Sequence, residues 1–119
     1  MRRLEGPELA GYDHIAPDLA ARVRIVRVPF LAPGSSGMTI GRFVFLTKDA
    51  DRSGRRELLA HELIHVRQYA NAGLVRFLLR YLRDYLVGLV RLRHHRRAYL
   101  AIPAEEAARD EARRWKQAR

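Results

Sequence analysis

The chain has 119 residues, 48% of them apolar and 30% charged, which fits one folded domain and excludes a disordered polyelectrolyte or two domains of ordinary size. It contains no cysteine, so disulfides, thiolate metal sites and a cysteine nucleophile are excluded, and any metal site must come from His and carboxylates. The net charge of +10 admits nucleic acid, an anionic surface or an acidic protein as partners, but the basic residues are spread out and lack an aromatic stacking platform, which disfavours nucleic acid.

Residues 1–22 are punctuated by Gly6-Pro7, Gly11 and Pro17 and are expected to be irregular, with a short helical turn near Asp18 to Ala21. No apolar run follows Met1, so no signal peptide is expected and the cytoplasm is the expected location. A single domain should occupy residues 23–119. It opens with Val23-Arg24-Ile25-Val26-Arg27-Val28, a half-buried strand ending at Pro29. Residues 32–37 are loop by composition, and residues 38–40 and 42–47 read as two strand pieces around Gly41.

A helix is predicted over about 55–72, with Gly73 as its C-terminal cap. A second starts at Leu74, with Phe77, Leu78, Tyr81, Leu82, Tyr85, Leu86, Leu89 and Val90 at helical spacing, and ends within residues 91–97. Arg80, Arg83, Asp84 and Arg91 interrupt it, so it is not expected to span a bilayer. Pro103 suits the first turn of a third helix carrying Glu105, Glu106 and Trp115. Strands precede helices, so the expected class is α+β: a small hairpin or sheet followed by three helices.

The first long helix contains His61-Glu62-Leu63-Ile64-His65. Histidines at i and i+4 share a helix face one turn apart, so both imidazoles can reach one ion. Glu62 follows the first histidine and can stand beside a metal-bound water without being a ligand. Leu59, Leu63, Val66 and Ala70 supply a separate face for packing, and two imidazoles buried without partners would be costly. Gln68 and Asn71 stand where the glycine and the third histidine of the metzincin pattern would fall, so a carboxylate from a later helix is the natural third ligand. Glu105 is preferred, Glu106 is the alternative, and Asp110 and Glu111 rank lower. Gln68 can orient a ligand or bond a loop carbonyl, and the sequence does not choose.

The run Gly37-Met38-Thr39-Ile40-Gly41-Arg42-Phe43-Val44-Phe45-Leu46, followed by Leu58-Leu59-Ala60-His61-Glu62-Leu63-Ile64-His65-Val66-Arg67-Gln68, resembles small bacterial zincin-like domains. In these a strand hairpin precedes a metal helix ending in His-Val-x-Gln. Ile102-Pro103-Ala104-Glu105-Glu106-Ala107-Ala108 resembles the Pro-x-Glu-x-x-Ala segment that supplies the glutamate ligand of gluzincins, including the minigluzincins. The resemblance implies a zincin-like fold and one zinc ion on His61, His65 and Glu105, with Glu62 as general base. It implies a peptide or protein substrate lying along the strand region of Met38, Ile40 and Phe43. Tyr99, His94 and His95 are candidates for polarising the scissile carbonyl. Two features depart from the family pattern: forty positions separate His65 from Glu105, and Ala107 replaces a second carboxylate.

The expected function is therefore zinc-dependent peptide-bond hydrolysis, held latent if residues 1–22 or a neighbouring chain cover the metal. Two alternatives come from other classes: a non-catalytic zinc-stabilised module, and a basic nucleic-acid or anionic-surface binder using residues 91–97.

Overall fold

The computed structural model describes residues 1–119 and is α+β, with one three-stranded sheet and six helices. β1 (Arg24–Arg27), β2 (Gly37–Ile40) and β3 (Phe43–Leu46) lie in the order β1-β3-β2, with β1 parallel and β2 antiparallel to β3. Ile40 faces Phe43 across the two-residue loop Gly41-Arg42. β2 is therefore an edge strand, while both edges of β3 are taken.

The helices are α1 (Gly6–Gly11), α2 (Pro17–Arg22), α3 (Glu57–Ala72), α4 (Leu74–Leu92), α5 (His95–Leu100) and α6 (Pro103–Gln117). α3 is central, packing on the sheet, α4 and α6. Its Leu59, Leu63, Ile64 and Val66 are buried against Ile25, Val44 and Leu46 of the sheet and Ala108 and Ala112 of α6 in one core. Ala70, expected on that face, is exposed. The chain leaves α3 at Gly73, whose φ of 88° is readily reached only without a Cβ, and turns directly into α4.

Four helices follow the sheet where three were expected. Arg93 is left-handed (φ 51°) and ends α4, and the His94 side chain then accepts from the Arg97 N–H to start α5. The cluster of positive charge read as one helix end is thus a helix end plus a new short helix.

The N-terminal segment differs more. The helical turn expected near Asp18 is α2, but α1 forms where irregular structure was expected, and Leu4, Tyr12, Ile15 and Ala20 join the core. Arg2 exchanges two backbone hydrogen bonds with Ile25, extending the sheet, while its guanidinium binds Asp49 and the fully buried Glu8. Tyr12 accepts from the Arg56 N–H at 3.1 Å, and Trp115 donates to the Gly11 carbonyl at 3.1 Å. Such long-range ties follow no local pattern, which is why composition did not reveal them.

His14 lies in this junction, its Nε2–H donating to the Ala60 carbonyl at 3.1 Å, while its Nδ1 is buried without a partner. Burial, against the backbone hydrogen bond, lowers its pKa below the usual histidine value. The unfolded chain then binds the extra proton more readily, so stability is full above about pH 6.5 and falls as the pH drops below it. In EDTA, the urea midpoint should decline more between pH 8 and pH 5 for the native protein than for His14→Phe. Equal declines would show that His14 does not carry the effect.

α4 is unevenly used. Phe77 is its one buried residue, whereas Val75, Leu79 and Val90 are 68%, 63% and 77% exposed and Leu74, Leu78, Leu82, Leu86, Val87 and Leu92 are also open. No helix is long and apolar enough to cross a membrane.

Candidate metal centre

α3 presents His61 and His65 one turn apart, and α6 brings Glu105 to meet them. Pro103 occupies the first turn of α6, and Glu105, Ala108, Ala112 and Trp115 form its buried face. The alanines let α6 approach α3 closely, and the face they define carries Glu105 inward while leaving Glu106 exposed. That spacing of three, four and three residues was a usable signal for choosing between the two glutamates. Glu111 is committed elsewhere: the Arg67 guanidinium binds it in a bidentate pair, with Nη1 to Oε2 at 2.6 Å. Asp110 is exposed.

Three atoms converge. His61 Nε2 is 2.9 Å from Glu105 Oε1, His65 Nε2 is 3.1 Å from the same oxygen, and the two Nε2 atoms are 3.1 Å apart. His61, His65 and Glu105 are thus a group that can hold a metal ion. A tetrahedral ion at about 2.0–2.1 Å from each ligand needs them roughly 3.3 Å apart, a few tenths of an ångström wider than this triangle. Lone pairs meeting at such distances repel unless a proton or cation lies among them.

Neighbouring side chains orient His65 and Glu105. His65 Nδ1–H donates to Gln68 Oε1 at 2.8 Å, and the Gln68 amide N–H donates to the Ala104 carbonyl at 3.2 Å. Gln68 therefore orients His65, and the carbonyl it bonds belongs to the first turn of α6 rather than to a loop, so His65 Nε2 stays pointed at the triangle. Tyr81 of α4 donates to the other Glu105 oxygen at 2.6 Å. Burial alone would lower the His65 pKa, but the Glu105 carboxylate outweighs it and holds His65 above the usual range. Burial would raise Glu105, yet the hydrogen bonds from His61 and His65 take it far below ordinary carboxylates. Both shifts describe a histidine and a carboxylate that hold each other in their charged forms.

Glu62 is 3% exposed, and burial pushes its pKa up against the pull of His65, His61 and the Thr39 hydroxyl. Thr39 of β2 donates at 2.8 Å to Glu62 Oε1 and lies 3.1 Å from the Glu62 carbonyl. β2 comes this close because residue 37 is glycine: a Cβ there would lie 3.1 Å from both Glu62 Cγ and Oε2. Thr39, Gly37 and Tyr81 had no recognisable signal, because their roles depend on strand and helix placement.

Two cavities flank Glu62, Glu105 and Tyr99. One, about 320 Å³, is largely apolar and includes Met38, Ile40, Phe77, Leu78 and Tyr81. The other, about 380 Å³, is polar and includes His61, Arg96, Arg109 and Arg113. Of the expected substrate-contacting residues, Met38 and Ile40 line the cleft and Phe43 does not. Phe43 stands on the inner strand, beneath the Arg42 guanidinium 5.3 Å from its ring centre. Tyr99 borders both cavities, and burial, reinforced by Glu105, raises its pKa. His95 reaches the apolar cavity, its Nδ1 2.7 Å from the Tyr85 hydroxyl, whereas His94 lines neither cavity and caps α5. No residue of 1–22 lines either cavity; the loop of residues 31–36 borders them instead, so cover by the N-terminal segment is not what the fold provides.

No curated protein and no solved structure matches the chain. A family model described as the eCIS core domain matches residues 30–73, a stretch holding β2, β3 and α3 with His61, Glu62 and His65 but neither Tyr81 nor Glu105.

Proposed function

We propose that the protein is a zinc-dependent peptidase of the gluzincin type, with a zincin-like arrangement built on α3. The observation that carries this reading is the placement of Glu62: a buried carboxylate that is not part of the ligand triangle, held by Thr39 and lining the same cavities as His65, His61 and Glu105. A site that only holds a fold together has no use for such a group.

The donor set of two imidazole nitrogens and one carboxylate oxygen suits zinc, with His61, His65 and Glu105 as the residues that hold it. When bound, the ion supplies Lewis acidity, lowering the pKa of a water and polarising a carbonyl. The edge of β2 is free to pair with an extended peptide, with Met38 and Ile40 beside it. Glu62 takes a proton from the attacking water and delivers it to the leaving amine. Tyr99 is the hydroxyl available to a developing oxyanion. The eCIS core segment supplies β2 and α3 in this scheme, and α4 and α6 add Tyr81 and Glu105.

The test is metal content together with cleavage of casein and a peptide library, for the native chain and Glu62→Gln. Metal kept and cleavage lost in the variant supports the peptidase. Metal kept with no cleavage by either protein replaces it with the zinc-stabilised module.

A further inference from the structure

We propose that the polar half of the cleft binds a carboxylate of the bound peptide, so that the protein prefers chains with a negative charge on the His61 side and an apolar residue on the His65 side. This deepens the peptidase reading and rests on it for the kind of chain bound.

The two cavities meet at Glu62, Glu105, Tyr99, Arg96 and the Gly34–Gly37 turn but differ in chemistry, and Arg109 and Arg113 belong to the polar one alone. Arg96, Arg109 and Arg113 all line the polar one, and none of the three is ion-paired with an acidic residue. Arg109 is the most informative. Its Nη2 donates to the Leu100 carbonyl at 2.8 Å, and its Nη1 is buried with no acceptor. An unpaired buried donor is costly, and one belonging to a guanidinium is suited to a carboxylate arriving from outside. Arg113 follows Arg109 by four residues on α6, placing a second guanidinium on the same face. Besides Glu62 and Glu105 at its inner end, the one acid of this cavity is Glu57, exposed at the start of α3. Planar forks of this kind pair with carboxylates in two-point fashion.

The carboxylate can belong to an acidic side chain or to the end of a short peptide, and three labelled peptides separate these sources. All share one apolar residue; the first carries Gln and an amidated end, the second Glu and an amidated end, the third Gln and a free end. Their affinities are measured by fluorescence anisotropy on the zinc-loaded full chain carrying Glu62→Gln, so that turnover plays no part. The second or third peptide should bind about tenfold tighter than the first. That advantage should fall below about twofold when Arg109→Gln and Arg113→Gln are added, and persist when Arg76→Gln and Arg80→Gln are added instead. The latter pair removes the same charge from the open face of α4, separating a site from general attraction to a basic protein. Because Arg109 also supports the Leu100 carbonyl, Arg96→Gln with Arg113→Gln repeats the measurement on two exposed residues, and the advantage should again shrink. Equal affinity for all three peptides, no binding of any, or an advantage that survives loss of Arg109 and Arg113 overturns the proposal. Selective binding without cleavage by the native chain overturns the peptidase reading alone.

Discussion

Glu62→Gln is expected to lower peptide cleavage at least about 100-fold while metal content stays at one ion per chain. Glutamine has the shape of glutamate and offers the same Oε1 to the Thr39 hydroxyl now 2.8 Å away, so β2 and α3 keep their contact. The base is lost and the ligand triangle of His61, His65 and Glu105 is untouched. Burial already disfavours charge on Glu62, so the neutral amide should not lower the melting temperature. A variant that cleaves at the native rate would remove Glu62 from the chemistry. A variant that loses metal would show that Glu62 belongs to the ion's own surroundings.

Glu105→Ala should abolish the stabilisation that zinc gives the fold. A ligand present at about a hundredfold its dissociation constant stabilises by about 2.7 kcal/mol, which for a domain of this size raises the melting temperature by on the order of 10 °C. Glu105 is the carboxylate that meets both Nε2 atoms and accepts from Tyr81. Its removal leaves two nitrogens, too few to hold a catalytic zinc. Gln68→Ala should have a smaller effect, weakening zinc by about 10–100-fold, because it frees the His65 ring without deleting a ligand. Titration of zinc into the three proteins, followed by thermal unfolding, orders these effects. An unchanged zinc response in Glu105→Ala would place the third ligand elsewhere, and Glu106, on the same turn, would be the next residue to replace.

The sequence alone determined the local elements. A histidine pair at i and i+4 on a patterned helix is a short-range relation, and so are the hairpin around Gly41 and the stop at Gly73. Tertiary structure decided everything that depends on which surface meets which. Tyr81, read as an ordinary helix residue, is the hydroxyl on Glu105 because α4 folds back after Gly73. Thr39 reaches Glu62 because β2 packs on α3 with no side chain at position 37 to hold it off. The apolar period of α4 correctly announced a helix but not its burial, since periodicity shows that an apolar face exists and not that anything covers it. Residues 1–22 carried no local pattern beyond the turn near Asp18, yet Arg2, Tyr12 and Trp115 bind them into the core across separations of 23 to 104 positions. Contacts at such separations are set by chain topology, which no window of neighbouring residues encodes.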